Sequence, residues 1–220
     1  MAQRTIHVLF GTILAKRLSL AETNRFLIGS ILPDAYVNHD ARAISHYIKT
    51  VPGERSHYFD FREFQNQYRP KILEDDLYLG YYAHLLEDAF YRDYLYREKN
   101  MLQRIKSSRL EVLYQDYHIL NSFIAKTYPL PQHLKYPVRF QEETINAITA
   151  FDLETAIADY ADDISEHTVG KTVLLTENML EEFVSKYLQK LEEEMHNVRQ
   201  GVSSINPLDY RWGSEDRNGV

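Results

Sequence analysis

The chain has 220 residues, 44% of them hydrophobic, with a formal net charge of −7, a size that suits one globular domain and a charge that argues against bulk affinity for phosphate backbones or anionic membranes. It contains no cysteine, which excludes a disulfide framework, a zinc ribbon, an iron–sulfur cluster and thiol chemistry, so any metal must be held by His, Asp or Glu. No apolar run reaches the roughly 20 residues of a membrane span, and the first residues lack a secretion signal's apolar centre and small-residue cleavage site, so the expected location is cytoplasmic.

Apolar spacing predicts an all-α chain, a multi-helix bundle, and only eight Gly and seven Pro leave little for a turn-rich β sandwich. A first helix is expected over Thr5 to Arg17, with Ile6, Leu9, Phe10, Ile13 and Leu14 at helical spacing. Ser19-Leu-Ala-Glu22 reads as a capping box opening a short helix that Pro33 ends. Residues 34–53, which carry Asn38-His39-Asp40, read as loop with a helical turn or two. Helices are then expected over 56–67, 74–96 and 101–128, with a break at Pro129, Pro131 and Pro137. Three more follow, over 141–150, over 153–165 capped by Asp152, and over 177–200 capped by Thr176. Residues 1–200 form a single helical domain in this reading, and 201–220, rich in Gly, Ser, Asn and charge, a flexible tail.

The chemistry centres on His84-x-x-x-Asp88, an imidazole and a carboxylate one turn apart on one helix face, a spacing from which both can reach a single divalent ion. Alone, the pair is explained as well by a side-chain hydrogen bond on a half-buried face. His7 shares a stripe with Phe10 and Leu14, although a single His on an apolar face is more often a core residue than a ligand. Asp34 leaves the end of the apolar segment Phe26 to Pro33, where a helix terminus disfavours negative charge; its plainer role is a turn residue. His57 lies at the start of an expected helix in Arg55-Ser-His-Tyr-Phe59.

In order, His7, then Leu-Ile-Gly-Ser-Ile-Leu-Pro-Asp34, then Arg-Ser-His57-Tyr-Phe, then Ala-His84-Leu-Leu-Glu-Asp88, the first hundred or so residues resemble the zinc-dependent phospholipase C family. That family is related in fold to the single-strand-specific zinc nucleases. The resemblance implies the same all-helical fold, with Asp34, His57, His84 and Asp88 as zinc ligands and Asp88 bridging toward a second ion near His7. The chain departs from the family in three places. It begins Met1-Ala-Gln rather than with the processed Trp of secreted members, position 94 is Tyr rather than His, and no His-x-x-x-Glu pair occurs. One or two ions are therefore expected, not three. Zinc is the metal that the resemblance implies, whereas imidazole and carboxylate ligands also suit manganese, iron or nickel.

The expected activity is metal-dependent hydrolysis of a small phosphate ester, a metal-activated water attacking phosphorus, with Asp34 as the group that accepts its proton. Arg92, one turn beyond Asp88, and Arg55 are candidate substrate-binding cations, although a surface Arg usually pairs on its own helix. Neither stable membrane association nor bulk nucleic-acid binding is expected, and the sequence leaves the oligomeric state open. Two other readings compete. In one, His39 and Asp40 form the doublet of an HD-type metal phosphohydrolase. In the other, the chain is a non-catalytic helical scaffold with a structural metal.

Overall fold

The computed structural model describes residues 2–213. They form α1 (Arg4–Arg17), α2 (Thr23–Ile31), the short α3 (Arg42–Ser45), strands β1 (Ile48–Thr50) and β2 (His57–Phe59), α4 (Phe61–Glu74), α5 (Asp76–Asp93), α6 (Leu102–Ser107), α7 (Leu110–Thr127), α8 (Leu153–Ser165) and α9 (Glu177–Arg199). The chain is mostly helical, as its periodicity indicates. Among the described residues the only sheet is the antiparallel pair β1–β2, with Ile48 opposite Phe59 and Thr50 opposite His57.

Helix α5 is the axis of the molecule. Every residue from Asp76 through Tyr91 is buried, the pattern of a helix enclosed on all sides, and α1, α2, α4 and α9 pack around it. Its closest neighbour is α2. A Cβ on Gly29 would lie 2.1 Å from the Leu77 carbonyl oxygen, and one on Gly80 would lie 2.1 Å from that of Phe26. Only glycine permits so close a backbone crossing. No helix among the described residues is long and apolar enough to cross a membrane.

The caps explain where several helices begin. Asp152 accepts from Thr155 N and Thr176 from Met179 N, so α8 and α9 start where the sequence indicates. Other boundaries differ from expectation. Ser19 does not cap α2; it has a φ of +51°, and the Glu22 amide donates to the Asp76 carboxylate instead. The helix expected from Ser56 starts at Phe61, where Asp60 caps it, because His57 to Phe59 pairs as a strand. Asp75 separates α4 from α5 by accepting from Leu77 N. The helix expected over 101–128 breaks at Ser108 and Arg109, where the hydroxyls of Ser107 and Ser108 bond back to the carbonyls of Arg104 and Ile105 and satisfy the end of α6. In place of a helix over 141–150 stand two 3₁₀ turns, Phe140–Glu142 and Thr144–Ala147.

The start of the segment expected as a tail is packed. Ile205, Pro207 and Tyr210 are buried, and Trp212 exchanges both backbone hydrogen bonds with His57, at 2.7 and 2.8 Å. The remainder of that segment, 214–220, lies outside the described residues.

The helix crossing generates a direct test. Gly80→Ala should gain about 1 kcal/mol from helix propensity alone, but overpacking against the Phe26 carbonyl should cost about 1–3 kcal/mol or more. We expect net destabilisation in urea unfolding. A variant as stable as the parent or more so would show that the two backbones are not held in this contact.

Candidate metal centre

Four elements bring polar side chains to one buried point. Helix α1 supplies His7, the 3₁₀ turn Leu32–Asp34 after α2 supplies Asp34, the residue that follows α3 supplies His46, and α5 supplies His84, Glu87 and Asp88. All are fully buried except Asp34, whose side chain keeps 15% of its surface exposed. Ligand atoms of His7, Asp34 and His84 lie within 4.8 Å of one another, and so do those of His46, His84 and Asp88. The two groups share His84.

Each imidazole is oriented through Nδ1. His84 Nδ1 donates to the Ser30 carbonyl at 2.7 Å, and His46 Nδ1 faces the Arg42 carbonyl at 3.1 Å and the Ser45 hydroxyl at 2.9 Å. A carbonyl can only accept, so a neutral imidazole that donates to one through Nδ1 carries its lone pair on Nε2. The Nε2 atoms of the two rings are 3.3 Å apart, a distance that a shared proton or a metal ion between them satisfies. His7 Nδ1 meets Glu87 Oε2 at 2.6 Å, which leaves its Nε2 at 3.5 Å from Asp88 Oδ1. His46 Nε2 is 3.2 Å from Asp34 Oδ1 and 3.5 Å from Asp88 Oδ2, and the Ala2 amide donates to Asp88 Oδ1 at 3.0 Å.

Buried His7 Nε2 and Asp88 Oδ2 have no hydrogen-bond partner. Burying such atoms unmatched costs about 1–3 kcal/mol each, so a native structure that retains them calls for a ligand. A divalent ion fits: the donor set is imidazole nitrogen and carboxylate oxygen, and carboxylates or carbonyls hold the outer ring nitrogens, as in known metal sites.

The electrostatics agree. Burial and then the neighbouring His7 push the His84 imidazole down to about 3, so it remains a neutral donor. Burial acts to raise Asp34 and Asp88, but the neighbouring His46 at Asp34 and His7 at Asp88, with His84 beside both, outweigh it and hold both well below the usual carboxylate range. Burial pushes Glu87 up to about 7 against the pull of His7. Burial also opposes a charged His7, yet Asp88 and Glu87 together carry it up to about 10. The cluster attracts positive charge.

The structure thus unites four of the residues singled out in the sequence, His7, Asp34, His84 and Asp88. It does not bring in His57. That residue lies on β2, with Nδ1 at 3.1 Å from the Thr50 hydroxyl and its ring 6.1 Å from that of Trp212, and it belongs to neither ligand group. His46 stands there instead, hidden in sequence inside a stretch without clear periodicity. Glu87 is the other residue of the centre outside that set, and its place beside Asp88, an adjacent acid pair in a buried helix, is the signal for it in the sequence. Arg55 is exposed on the β1–β2 connection. The Arg92 guanidinium lies 4.8 Å from the Tyr96 ring centre and 4.5 Å from that of Trp212. His39 and Asp40 are exposed on a 3₁₀ turn and lie in neither group. His118 pairs with Glu166 at 2.7 Å, and Tyr94 donates to the Met179 carbonyl.

Comparison of the chain with family models, curated proteins and solved structures returns no match.

Substitution separates His46 from His57. Measured by mass spectrometry on folded protein purified with zinc, His46→Ala should lose its metal and His57→Ala should keep it; the reverse would place the centre elsewhere. Glu87→Gln, which removes the carboxylate that orients and polarises His7, should weaken zinc about 10–100-fold in a competition titration, and unchanged affinity would remove Glu87 from the centre.

Proposed function

We propose that the chain is a metal-dependent phosphoric ester hydrolase, with zinc as its ion and His7, Asp34, His46, His84 and Asp88 as the ligand set. The observation that carries this reading is the convergence of three buried imidazoles with the Asp34 and Asp88 carboxylates, their ligand atoms within 4.8 Å in two groups that share His84, with Asp34 the one partly exposed member. When bound, such an ion supplies Lewis-acid polarisation of a phosphoryl oxygen and lowers the pKa of a water to about 7. The protein's own part is orientation and charge. The Ser30 and Arg42 carbonyls hold two imidazoles in the tautomer that donates through Nε2, and Glu87 does the same for His7. Asp34 is the ligand reached from outside. Its carboxyl is held well below the usual range, which makes it a better ligand than proton acceptor, because a general base works best with a pKa near the operating pH. The ligand chemistry and the resemblance of these segments to zinc phosphoesterases together support a phosphate ester as the substrate class.

Burial favours a second reading, a structural ion in a helical scaffold. Structural sites are closed, whereas catalytic ones keep an open position, and every ligand but Asp34 is fully buried. Turnover distinguishes the two. We expect zinc-loaded protein to release p-nitrophenol from p-nitrophenyl phosphate or its bis-ester, with the activity lost on chelation and abolished in Asp88→Asn. Stoichiometric zinc with no turnover of either ester would leave the scaffold.

A further inference from the structure

Among the described residues, four other than glycine take a positive φ, Ser19, Tyr47, Asn100 and Arg139, and only Tyr47 of these is buried. Its φ is +52°. The left-handed region crowds Cβ against the adjoining backbone, so a large aromatic residue enters it only where its surroundings hold it there, and such a residue points to a function nearby. The residue before it is His46, fully buried, with Nε2 at 3.2 Å from Asp34 Oδ1 and 3.5 Å from Asp88 Oδ2. We propose that Tyr47 is a positioning residue of the metal centre, its anchored left-handed backbone holding His46 on the ion. The proposal rests on the reading of His46 as a ligand.

The local chain explains the turn. Helix α3 is a single turn, after which the His46 amide donates to the Arg42 carbonyl at 3.0 Å and the Tyr47 amide to the Ile44 carbonyl at 3.1 Å. Tyr47 therefore stands just past a helix end, where glycine is the usual residue because it takes a positive φ without strain. The reversal sends the two side chains apart. His46 enters the centre, whereas the Tyr47 ring packs edge-on against Phe64 of α4, with ring centres 5.6 Å apart. Its hydroxyl donates to Gln67 Oε1 at 3.0 Å, and its carbonyl accepts from the amide of Asp60, the α4 cap, at 2.8 Å.

These anchors close a circuit with α5. Phe64 stacks on Tyr81, with ring centres 4.6 Å apart and planes 9° from parallel, and the Tyr81 hydroxyl donates to the Ser45 carbonyl. The residues on both sides of His46 are thus tied to one aromatic pair, Ser45 directly and Tyr47 through Phe64. Glycine at position 47 would take the turn freely but leave it untied, and alanine would be both untied and strained. Packing alone does not call for a left-handed backbone.

Cobalt(II), whose visible absorption reports its ligands, provides the test when added to the chelator-treated full chain. Tyr47→Phe keeps the ring and should bind cobalt as the parent does. Tyr47→Ala should bind it about 10–100-fold more weakly, the loss typical of an outer contact that orients a ligand, and at saturation its absorption should move toward that of His46→Ala. Tyr47→Gly loses the same ring but not the turn, so its affinity should fall between those of Tyr47→Ala and the parent. Circular dichroism identifies folded protein, and Tyr47→Leu, which keeps an apolar side chain, carries the same expectation if Tyr47→Ala does not fold. A ring that only fills the core predicts lost stability with the ion held as before. Folded Tyr47→Ala or Tyr47→Leu with the parent's affinity and absorption, while His46→Ala has lost both, would therefore overturn the proposal and leave the metal centre standing. Tyr47→Gly binding no tighter than Tyr47→Ala would overturn it too, by removing the backbone from the effect. Cobalt bound by His46→Ala as by the parent would overturn the ligand reading itself, and the proposal with it.

Discussion

The contact between Gly29 and Gly80 is the constraint on which the rest of the centre depends. Without side chains at these positions, the backbones of α2 and α5 touch, so that the Ser30 carbonyl lies within 2.7 Å of His84 Nδ1. That hydrogen bond directs His84 Nε2 away from α2 and toward His46 and Asp88, while the His7 ring stacks on its face. The same crossing brings the end of α2, and with it Asp34, alongside the third turn of α5. A wider crossing would leave the Ser30 carbonyl out of reach and free the imidazole to turn.

Around that crossing the chain buries more ionisable groups than a core tolerates unless they compensate one another. Three carboxylates and three imidazoles share the interior, and the cost of desolvating such groups is recovered only with good geometry and paired charges. Part of the compensation is internal. The Ala2 amide donates to Asp88, and a proton held on His7 up to about pH 10 balances one negative charge, a proton that an ion bound at Nε2 would displace. What is left unmatched, His7 Nε2 and Asp88 Oδ2, lies beside the Nε2 atoms of His46 and His84, so nitrogen and oxygen ligand atoms gather at one small space. A cation matches it, whereas an apolar core would have no reason to build it.

Much of this arrangement was legible in the sequence, because it rests on local rules. His84 and Asp88 share a helix face by spacing alone, Asp34 follows a proline that ends an apolar helix, and Asp152 and Thr176 cap helices where capping residues belong. His46 was not legible. It follows a single helical turn set by Asn38 and Arg42, and what brings it to the centre is a tertiary hydrogen bond between the Tyr81 hydroxyl and the Ser45 carbonyl, which leaves no periodic trace. His57 is indicated instead by the family resemblance of Arg-Ser-His-Tyr-Phe, in a stretch that reads as a helix start. Pairing with β1 makes it a strand, and alternation places His57 and Phe59 on the same face. Trp212 belongs to a segment whose composition suggests mobility, and only its long-range pairing with His57 shows otherwise.

The most direct test of the metal centre is to locate the ion. Crystals grown with zinc, with data collected on both sides of the zinc absorption edge, should give an anomalous peak within about 2.0–2.2 Å of the Nε2 atoms of His46 and His84, with Asp34 or Asp88 oxygen at a similar distance. No anomalous density among these residues, or zinc held instead by His57 or by the His39–Asp40 turn, would contradict the account.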